Sequence, residues 1–224
     1  MKIYYLDLGQ IPISNDSRVS VYLSDDRKKI QSNYCFLSDI RRSIYSEILM
    51  KYCIKKSTDI TEPIVIFRDL NNKPFVKYPN IYFNVSHSNN IVVCAIDNGQ
   101  VGVDIEFHDP LLKDDLEKNS LIFSLSEKLY LNKYNCINTF YNLWCLKESF
   151  LKFTGEGIVG NNLSENEFLA KYNFNEYFFK YYDNKKIVSE IVPFLTDYSL
   201  AITHTTIEKI ELVFVDYLEL QAYF

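Results

Sequence analysis

The sequence predicts an α+β protein made of two similar lobes, and three observations carry that reading. A strand-like start over residues 2–8 leads into a long amphipathic stretch and then into several short apolar runs separated by turn residues. A second helical stretch, about Thr139 to Phe153, is again followed by strand patterns at Ile187–Phe194, Tyr198–Thr203 and Ile210–Val215. Finally, Ile91-Val92-Val93-Cys94-Ala95-Ile96-Asp97 echoes Tyr198-Ser199-Leu200-Ala201-Ile202-Thr203-His204. Each of these follows a helical stretch and precedes a further strand, so the lobes are expected to join near residue 105, as 1–105 and 106–224.

The elements follow in order. From about Ser24 to Lys51 the residues Ile30, Tyr34, Leu37, Ile40, Ile44, Ile48 and Leu49 recur at three- and four-residue steps, which predicts one amphipathic helix. Pro63–Phe67 reads as a buried strand, and Asn71-Asn72-Lys73-Pro74 as a turn, because Asn and Pro favour the backbone a turn requires. Ile81–Val85 and Ile91–Ile96 are strands joined tightly through Ser86-His87-Ser88-Asn89-Asn90. Asn98-Gly99 is a hairpin-turn signal leading into Val101–Glu106. The charged stretch from His108 to Asn119 reads as a linker. Ser124-Leu125-Ser126-Glu127 has the form in which a serine and a glutamate three residues on cap a helix reciprocally, and Gly155 stops the long helix after it.

Composition narrows the class. The chain has 224 residues, 47% hydrophobic and 24% charged, enough to bury a core without disulfides or structural metals. Its 18 Tyr and 16 Phe are expected to fill that core. A net charge of −5 provides no overall basic field for nucleic acid, although Arg27-Lys28-Lys29 and Arg41-Arg42 form local basic clusters. The five cysteines are scattered, with no C-x-x-C pair, which fits neither a disulfide framework nor a zinc site and points to a reducing compartment. The N-terminus lacks the apolar region of a signal peptide, and no apolar run is long enough to span a bilayer. A cytoplasmic location is expected.

Two constellations carry chemistry. On a strand, alternate side chains share a face, so Asp104 and Glu106 project together while Val103 and Ile105 enter the other side. Two neighbouring carboxylates repel unless a cation lies between them, and hard oxygen donors without His or Cys favour magnesium. A solvated acidic strand face would have the same pattern. In the second constellation, Glu148 and Lys152 are four residues apart on one helix face, with Lys147 rotated by about 100°. An ordinary surface ion pair is the bland alternative, but the helix also carries Phe140, Tyr141, Leu143, Trp144, Leu146, Phe150, Leu151 and Phe153, leaving little face for open water. Three carboxylates and two lysines are the equipment of phosphoryl transfer. His87 and Ser86 could add donors to a phosphate, although a histidine in such a connection is more often a hydrogen-bonded structural one.

Taken in order, Phe83-Asn84-Val85-Ser86-His87-Ser88, Gly102-Val103-Asp104-Ile105-Glu106 and Trp144-x-x-Lys147-Glu148-Ser149-x-x-Lys152 resemble the 4′-phosphopantetheinyl transferases of the surfactin-synthetase-activating type. Asn72-Lys73-Pro74 upstream and Phe123-Ser124-x-x-Glu127 between them extend the resemblance. It implies a pseudo-dimer of two α+β lobes with the active site between them. It implies magnesium on Asp104, Glu106 and Glu148, and Lys147 and Lys152 at the pyrophosphate of coenzyme A. Ser86, His87 and Arg42 match residues that contact coenzyme A phosphate, and Lys73 matches a lysine near the cofactor. Of two basic positions that reach the 3′-phosphate, one is Arg27 and the other Ile30, which leaves Lys28 to share that contact. Two further departures are Asn72 in place of a glycine and Glu156 where a lysine is common.

The implied reaction moves the phosphopantetheine arm of coenzyme A onto a serine of an apo acyl or peptidyl carrier protein, with release of 3′,5′-ADP. Glu148 or a metal-bound water would act as base, and Lys147 or Lys152 would offset charge on the leaving phosphate. Such a chain would act as a monomer in fatty acid, polyketide or nonribosomal peptide synthesis. Leu111, Leu112, Leu116, Ile122 and Phe123 are candidates for the carrier contact. A catalytically silent homologue that binds coenzyme A or a carrier is the alternative. A nucleotide phosphohydrolase is a third reading, and the sequence has no glycine-rich phosphate loop to encourage it.

Overall fold

The computed structural model describes residues 1–78, 80–111, 123–134, 136–155, 178–182, 185–205 and 209–223. They form two compact units, Met1–Gly99 with Glu208–Phe224, and Gln100–Ile207. The division thus falls at residue 99 rather than near 105, because the strand carrying Asp104 and Glu106 pairs wholly within the second unit. The C-terminal strand returns to the first.

In the first unit, β1 (Lys2–Asp7), β4 (Tyr82–Ser88), β5 (Ile91–Asp97) and β10 (Glu211–Phe214) form a four-stranded sheet in the order β10-β1-β5-β4. β5 is buried along its whole length, which its unbroken apolar run requires. β2 (Phe67–Arg68) and β3 (Pro74–Phe75) form a separate two-residue ladder. The strand expected over Pro63–Phe67 therefore starts only at Phe67. Pro63 cannot donate to a ladder, and between it and Phe67 Ile64 is buried whereas Val65 is exposed. The short helices α1 (Asp16–Ser20) and α2 (Asp25–Gln31) precede the 20-residue α3 (Leu37–Lys56).

The single helix expected from Ser24 to Lys51 is thus two. The Ser32 hydroxyl donates to Lys29 O, Phe36 is extended, and the exposed Tyr34, Phe36 and Leu37 do not belong to the core stripe. From Ser43 to Ile54 every residue of α3 is buried.

The second unit repeats this plan. β6 (Val101–Phe107), β7 (Phe178–Tyr182), β8 (Lys185–Ile191) and β9 (Tyr198–His204) form a sheet in the order β6-β9-β8-β7. α4 (Leu125–Tyr134) and α5 (Ile137–Thr154) complete it, with α5 packed on β6, β8 and β9. The reciprocal cap at the start of α4 is formed: Ser124 N donates to Glu127 Oε2 at 2.8 Å, and Glu127 N to Ser124 Oγ at 3.2 Å. Gly155, left-handed at φ 78°, closes α5. Asn98-Gly99 makes no hairpin, because β5 pairs with β1 and β4 while β6 pairs with β9.

The echo between residues 91–97 and 198–204 is now explained. β5 and β9 are the interior strands of corresponding three-strand sets, β1-β5-β4 and β6-β9-β8, in each of which a long helix follows the first strand. Aligning β5 with β9 carries their partners along. Tyr4, opposite Cys94, corresponds to Asp104, opposite Ala201, and Leu6 corresponds to Glu106. Tyr4 and Leu6 are core residues, so the acidic pair occurs in the second unit only.

At Gly102 the helix lies directly on the strand. An added Cβ would come 2.2 Å from Ser149 O and 2.3 Å from Phe153 N. Both are backbone atoms that no rotamer change can move. Gly102→Ala is therefore expected to cost about 3 kcal/mol or more. Urea unfolding checks this as a lower midpoint at unchanged slope; a loss below about 1 kcal/mol would mean that helix and strand can separate cheaply.

Candidate functional site

The site is built on β6 and α5 of the second unit. Gly102, Asp104 and Glu106 alternate along one face of β6, and the Gly102 contact shows that this face is turned to α5. Gln100 Nε2 donates to Phe153 O near the end of the helix, so the start of β6 is held against the last turns of α5. Progress along β6 then runs back along α5. Asp104 lies near Cys145, Glu148 and Lys152, and Glu106 lies near Tyr141 and Cys145.

Asp104 is 2% exposed, and its Oδ1 lies 2.6 Å from Lys152 Nζ. Burial alone would pull the Lys152 ammonium below its ordinary value, but the Asp104 carboxylate overrides it and leaves Lys152 raised. Glu148 is in the opposite position. Burial, with the Asp104 charge adding to it, pushes its carboxyl up to about 7 despite Lys152. Its Oε1 is buried without a hydrogen-bond partner. The Cys145 thiol is held high by burial and then by the two carboxylates. The local balance is one ammonium against three acids, and Lys152 acts on Asp104 first, then on Glu148 and least on Glu106.

An all-oxygen donor set that includes a buried carboxylate atom with no partner fits a hard cation such as magnesium. Among the described residues no three His, Cys, Asp or Glu side chains converge closely enough to hold a metal ion, and Lys152 occupies one side of Asp104.

Lys147, expected beside Lys152 at a phosphate, lies elsewhere. Its Nζ is 2.7 Å from Glu127 Oε2, and both side chains are fully buried. The five-residue step from Lys147 to Lys152 turns the helix by about 140°, so one lysine faces α4 when the other faces β6. Sequence reading identified Glu127 as a cap but not as a buried counter-ion. The signal was present in that step together with the apolar residues around Lys147.

Beyond Glu106, the chain is fastened to α5. His108 Nε2 is 2.9 Å from Ser199 Oγ, which donates to Asn142 Oδ1 at 2.6 Å, and the His108 ring stacks on Tyr141. The Tyr141 hydroxyl donates to Asp109 O at 2.7 Å.

The candidate anion-binding residues belong to the first unit. Arg42 donates to Asn89 O at 3.1 Å and to Asp39, which holds it at the turn after β4. Ser86 and His87 lie within β4 rather than in a loop, and Asn89, at φ 49°, makes the turn. Ser86 is buried and its neighbour His87 exposed, so their side chains leave the strand on opposite faces.

The Asn71–Pro74 turn forms as expected. Asp69 Oδ1 accepts from Asn71 N and Lys73 N, and Asn72 adopts φ 67°, a conformation that Asn tolerates almost as Gly does. Burial lowers the Lys73 ammonium to about 8, with Asp69 opposing.

Arg27 is committed to the interior. It reaches Glu47 Oε2 at 3.3 Å and Ser43 Oγ at 3.3 Å, and Glu47 also takes Lys51 at 2.8 Å and caps α2 through Ser24. Lys28 is half exposed, with Asp25 at 3.7 Å. Of the candidate carrier contacts, Phe123 is a core residue packed on Phe140 and Trp144, because it anchors the start of α4. Leu111 is 80% exposed, while Leu112, Leu116 and Ile122 fall outside the described residues.

Two family models match the chain: "4′-phosphopantetheinyl transferase, N-terminal" over residues 14–98 and "4′-phosphopantetheinyl transferase superfamily" over residues 100–203. The chain is 32% identical over 167 residues to the 4′-phosphopantetheinyl transferase psf-1 of Bacillus pumilus, covering 70% of each chain. It is 32% identical over 157 residues to the 4′-phosphopantetheinyl transferase gsp of Aneurinibacillus migulanus, covering 66% of this chain and 65% of that one. With the 4′-phosphopantetheinyl transferase Sfp of Bacillus subtilis it shares 27% identity over 162 residues, 70% of this chain and 72% of the relative.

Two outcomes follow from this geometry. Lys147→Met leaves a lone buried carboxylate and is expected to cost about 3–5 kcal/mol, most of it recovered by adding Glu127→Gln, which keeps the cap. A Lys147→Met protein of unchanged stability that binds phosphate poorly would return Lys147 to a ligand role. The second concerns Glu148, whose folded value of about 7 lies above the ordinary 4.5. The folded state then holds a proton that the unfolded state has released, so stability falls as pH rises from about 4.5 to 7. In chelator-treated protein, Glu148→Gln should gain about 2–3 kcal/mol on wild type between pH 5 and pH 8. Melting curves across that range measure it, and a constant difference contradicts it.

Proposed function

The chain belongs to the 4′-phosphopantetheinyl transferase superfamily, and from that premise we propose how its residues transfer the 4′-phosphopantetheine arm of coenzyme A to a serine of an apo acyl or peptidyl carrier protein. The observation that carries the proposal is the ion pair of buried Asp104 with the partly exposed Lys152, with the protonatable Glu148 beside it.

The serine oxygen forms a bond to the phosphorus bearing the pantetheine arm, the pyrophosphate bond to that phosphorus breaks, and 3′,5′-ADP leaves. Asp104, Glu106 and Glu148 would hold magnesium, which supplies charge neutralisation at the phosphates when bound. Glu148 is proposed as the base for the serine proton; burial pushes its carboxyl up to about 7 in the metal-free site, and magnesium would lower it from there. Lys152, kept charged by Asp104, offsets the growing negative charge on the leaving phosphate. Lys147, sealed against Glu127, serves the scaffold in this scheme and touches no phosphate.

In the first unit, Arg42, Lys73, Ser86 and His87 are proposed to bind phosphate groups of coenzyme A, with Lys28 contributing. Arg42 and Lys73 are the better supported. Arg42 is anchored beside the β4 turn, and the lowered Lys73 ammonium gains charge when an anion approaches. Arg27 supports α2 through Glu47, which leaves it a secondary role toward the 3′-phosphate. The proposed setting is cytoplasmic, with the chain acting as a monomer. All five cysteines are free, and no helix among the described residues is long and apolar enough to cross a membrane.

Intact-mass spectrometry of a panel of apo carrier proteins, incubated with coenzyme A and magnesium, tests the transfer. We expect one carrier to gain a single phosphopantetheine arm, with loss of about 10²-fold or more in rate for Asp104→Ala or on chelation. Unchanged loading by Asp104→Ala would remove this site from the reaction.

A further inference from the structure

Four side chains with a proton to give lie around Glu106, and each is engaged with another acceptor. Tyr141 donates its hydroxyl proton to Asp109 O at 2.7 Å. The Cys145 thiol is turned to Ser199 O, at 3.4 Å, and to Asp104. The other two belong to the sheet. Ser199 on β9 stands directly opposite Glu106, so its buried hydroxyl shares that face, with Cβ atoms about 5 Å apart as in such pairs. His108, two residues beyond Glu106, faces α5 as well and stacks on Tyr141. A serine hydroxyl has one proton and two lone pairs. That proton goes to Asn142 Oδ1 at 2.6 Å, so His108 Nε2, at 2.9 Å, is the donor to Ser199 Oγ. The chain runs one way, from His108 through Ser199 to Asn142. It ends on a neutral amide, which takes the proton without adding a further charge to Asp104, Glu106 and Glu148.

We propose that Asn142, by holding Ser199 and His108, is the positioning residue that keeps the Glu106 carboxylate turned to the metal site. The inference rests on the transfer reading above, in which Asp104, Glu106 and Glu148 hold magnesium. Tyr141 and Cys145 reach backbone carbonyls, which the fold itself fixes. The hydroxyl and the imidazole instead depend on one side chain. Without that amide, the Ser199 proton turns to the carboxylate facing it across the ladder. A charge-assisted hydrogen bond there draws Glu106 toward β9, and it has to break before a cation can take the same oxygen. Asn142 thus acts on the metal through hydrogen bonds, without touching it.

Manganese is the probe, its free aquo ion counted by electron paramagnetic resonance as the protein is titrated with coenzyme A present, against coenzyme A alone. Asn142→Leu is expected to weaken manganese binding about 10-fold, the scale of one hydrogen bond to a charged group. Ser199→Ala/His108→Phe removes both donors and keeps a ring on Tyr141, whose bond to Asp109 still fastens that end of β6. It should bind within about twofold of wild type, and so should the triple variant that adds Asn142→Leu. In carrier loading, the magnesium concentration at half-maximal rate should follow the same pattern, with kcat at saturating magnesium within about twofold. Residues that merely support the fold would give accumulating losses, so a triple variant that binds worst overturns the assignment. An Asn142→Leu protein that binds manganese like wild type overturns it too. If Asn142→Leu does not fold, the double variant decides, since a supporting role predicts weakened binding there. A wild type that binds no manganese with coenzyme A present overturns the metal reading itself, whereas binding that no variant alters overturns only the role of Asn142.

Discussion

At Gly102 the backbone of β6 meets the backbone of α5 with no room for a methyl group, and the placement of the charged residues in the second unit depends on that contact. Once strand and helix are this close, strand alternation turns Asp104 and Glu106 toward α5, where Asp104 is buried and Glu106 partly so. The helix offers Asp104 a cation, Lys152, at 2.6 Å. Gln100 and the His108–Ser199–Asn142 chain hold the two ends of the strand against the helix. The site is therefore pinned on both sides of the acidic pair.

Charge is distributed unevenly around α5, and the unevenness follows from helix geometry. Lys147 and Lys152 diverge, one toward Glu127 and one toward Asp104, and each ends in a close ion pair. Buried pairs of this kind recover a large desolvation cost only when geometry is good, which makes them sensitive to the loss of one partner. Glu148 has no such partner, and its raised carboxyl records the deficit. A site that lacks positive charge in its resting arrangement is one that a cation or a proton can complete.

The first unit shares the strand order but spends its buried charge differently. Tyr4 and Leu6 replace the acids with core packing, while Glu47 on α3 gathers Arg27, Lys51 and the cap of α2. Arg41 is likewise absorbed by Asp16 and by the carbonyls of Leu8 and Ile11. Of the basic residues noted in these two clusters, Lys28 and Arg42 retain more exposed side chains than Arg27 and Arg41. A cluster of basic letters thus separates into struts and available cations only after folding.

Much of this protein was decided locally and was legible as such. The cap at Ser124 and Glu127, the Asn72 turn, the glycine stop at Gly155 and the one-faced Asp104 and Glu106 depend on residues within a few positions of one another, so sequence spacing suffices to read them. The echo of residues 91–97 in 198–204 was legible for the same reason, since the interior strand of each set needs the same apolar run. Tertiary structure alone decided which partner each charge would find and which strands would pair. It turned Lys147 inward to Glu127, committed Arg27 to Glu47, split the helix expected across Ser32–Phe36 and sent the chain from one sheet to another at Asn98-Gly99. Those outcomes depend on residues 20 or more positions away, and on which face of a helix is already filled, and neither is written in local spacing.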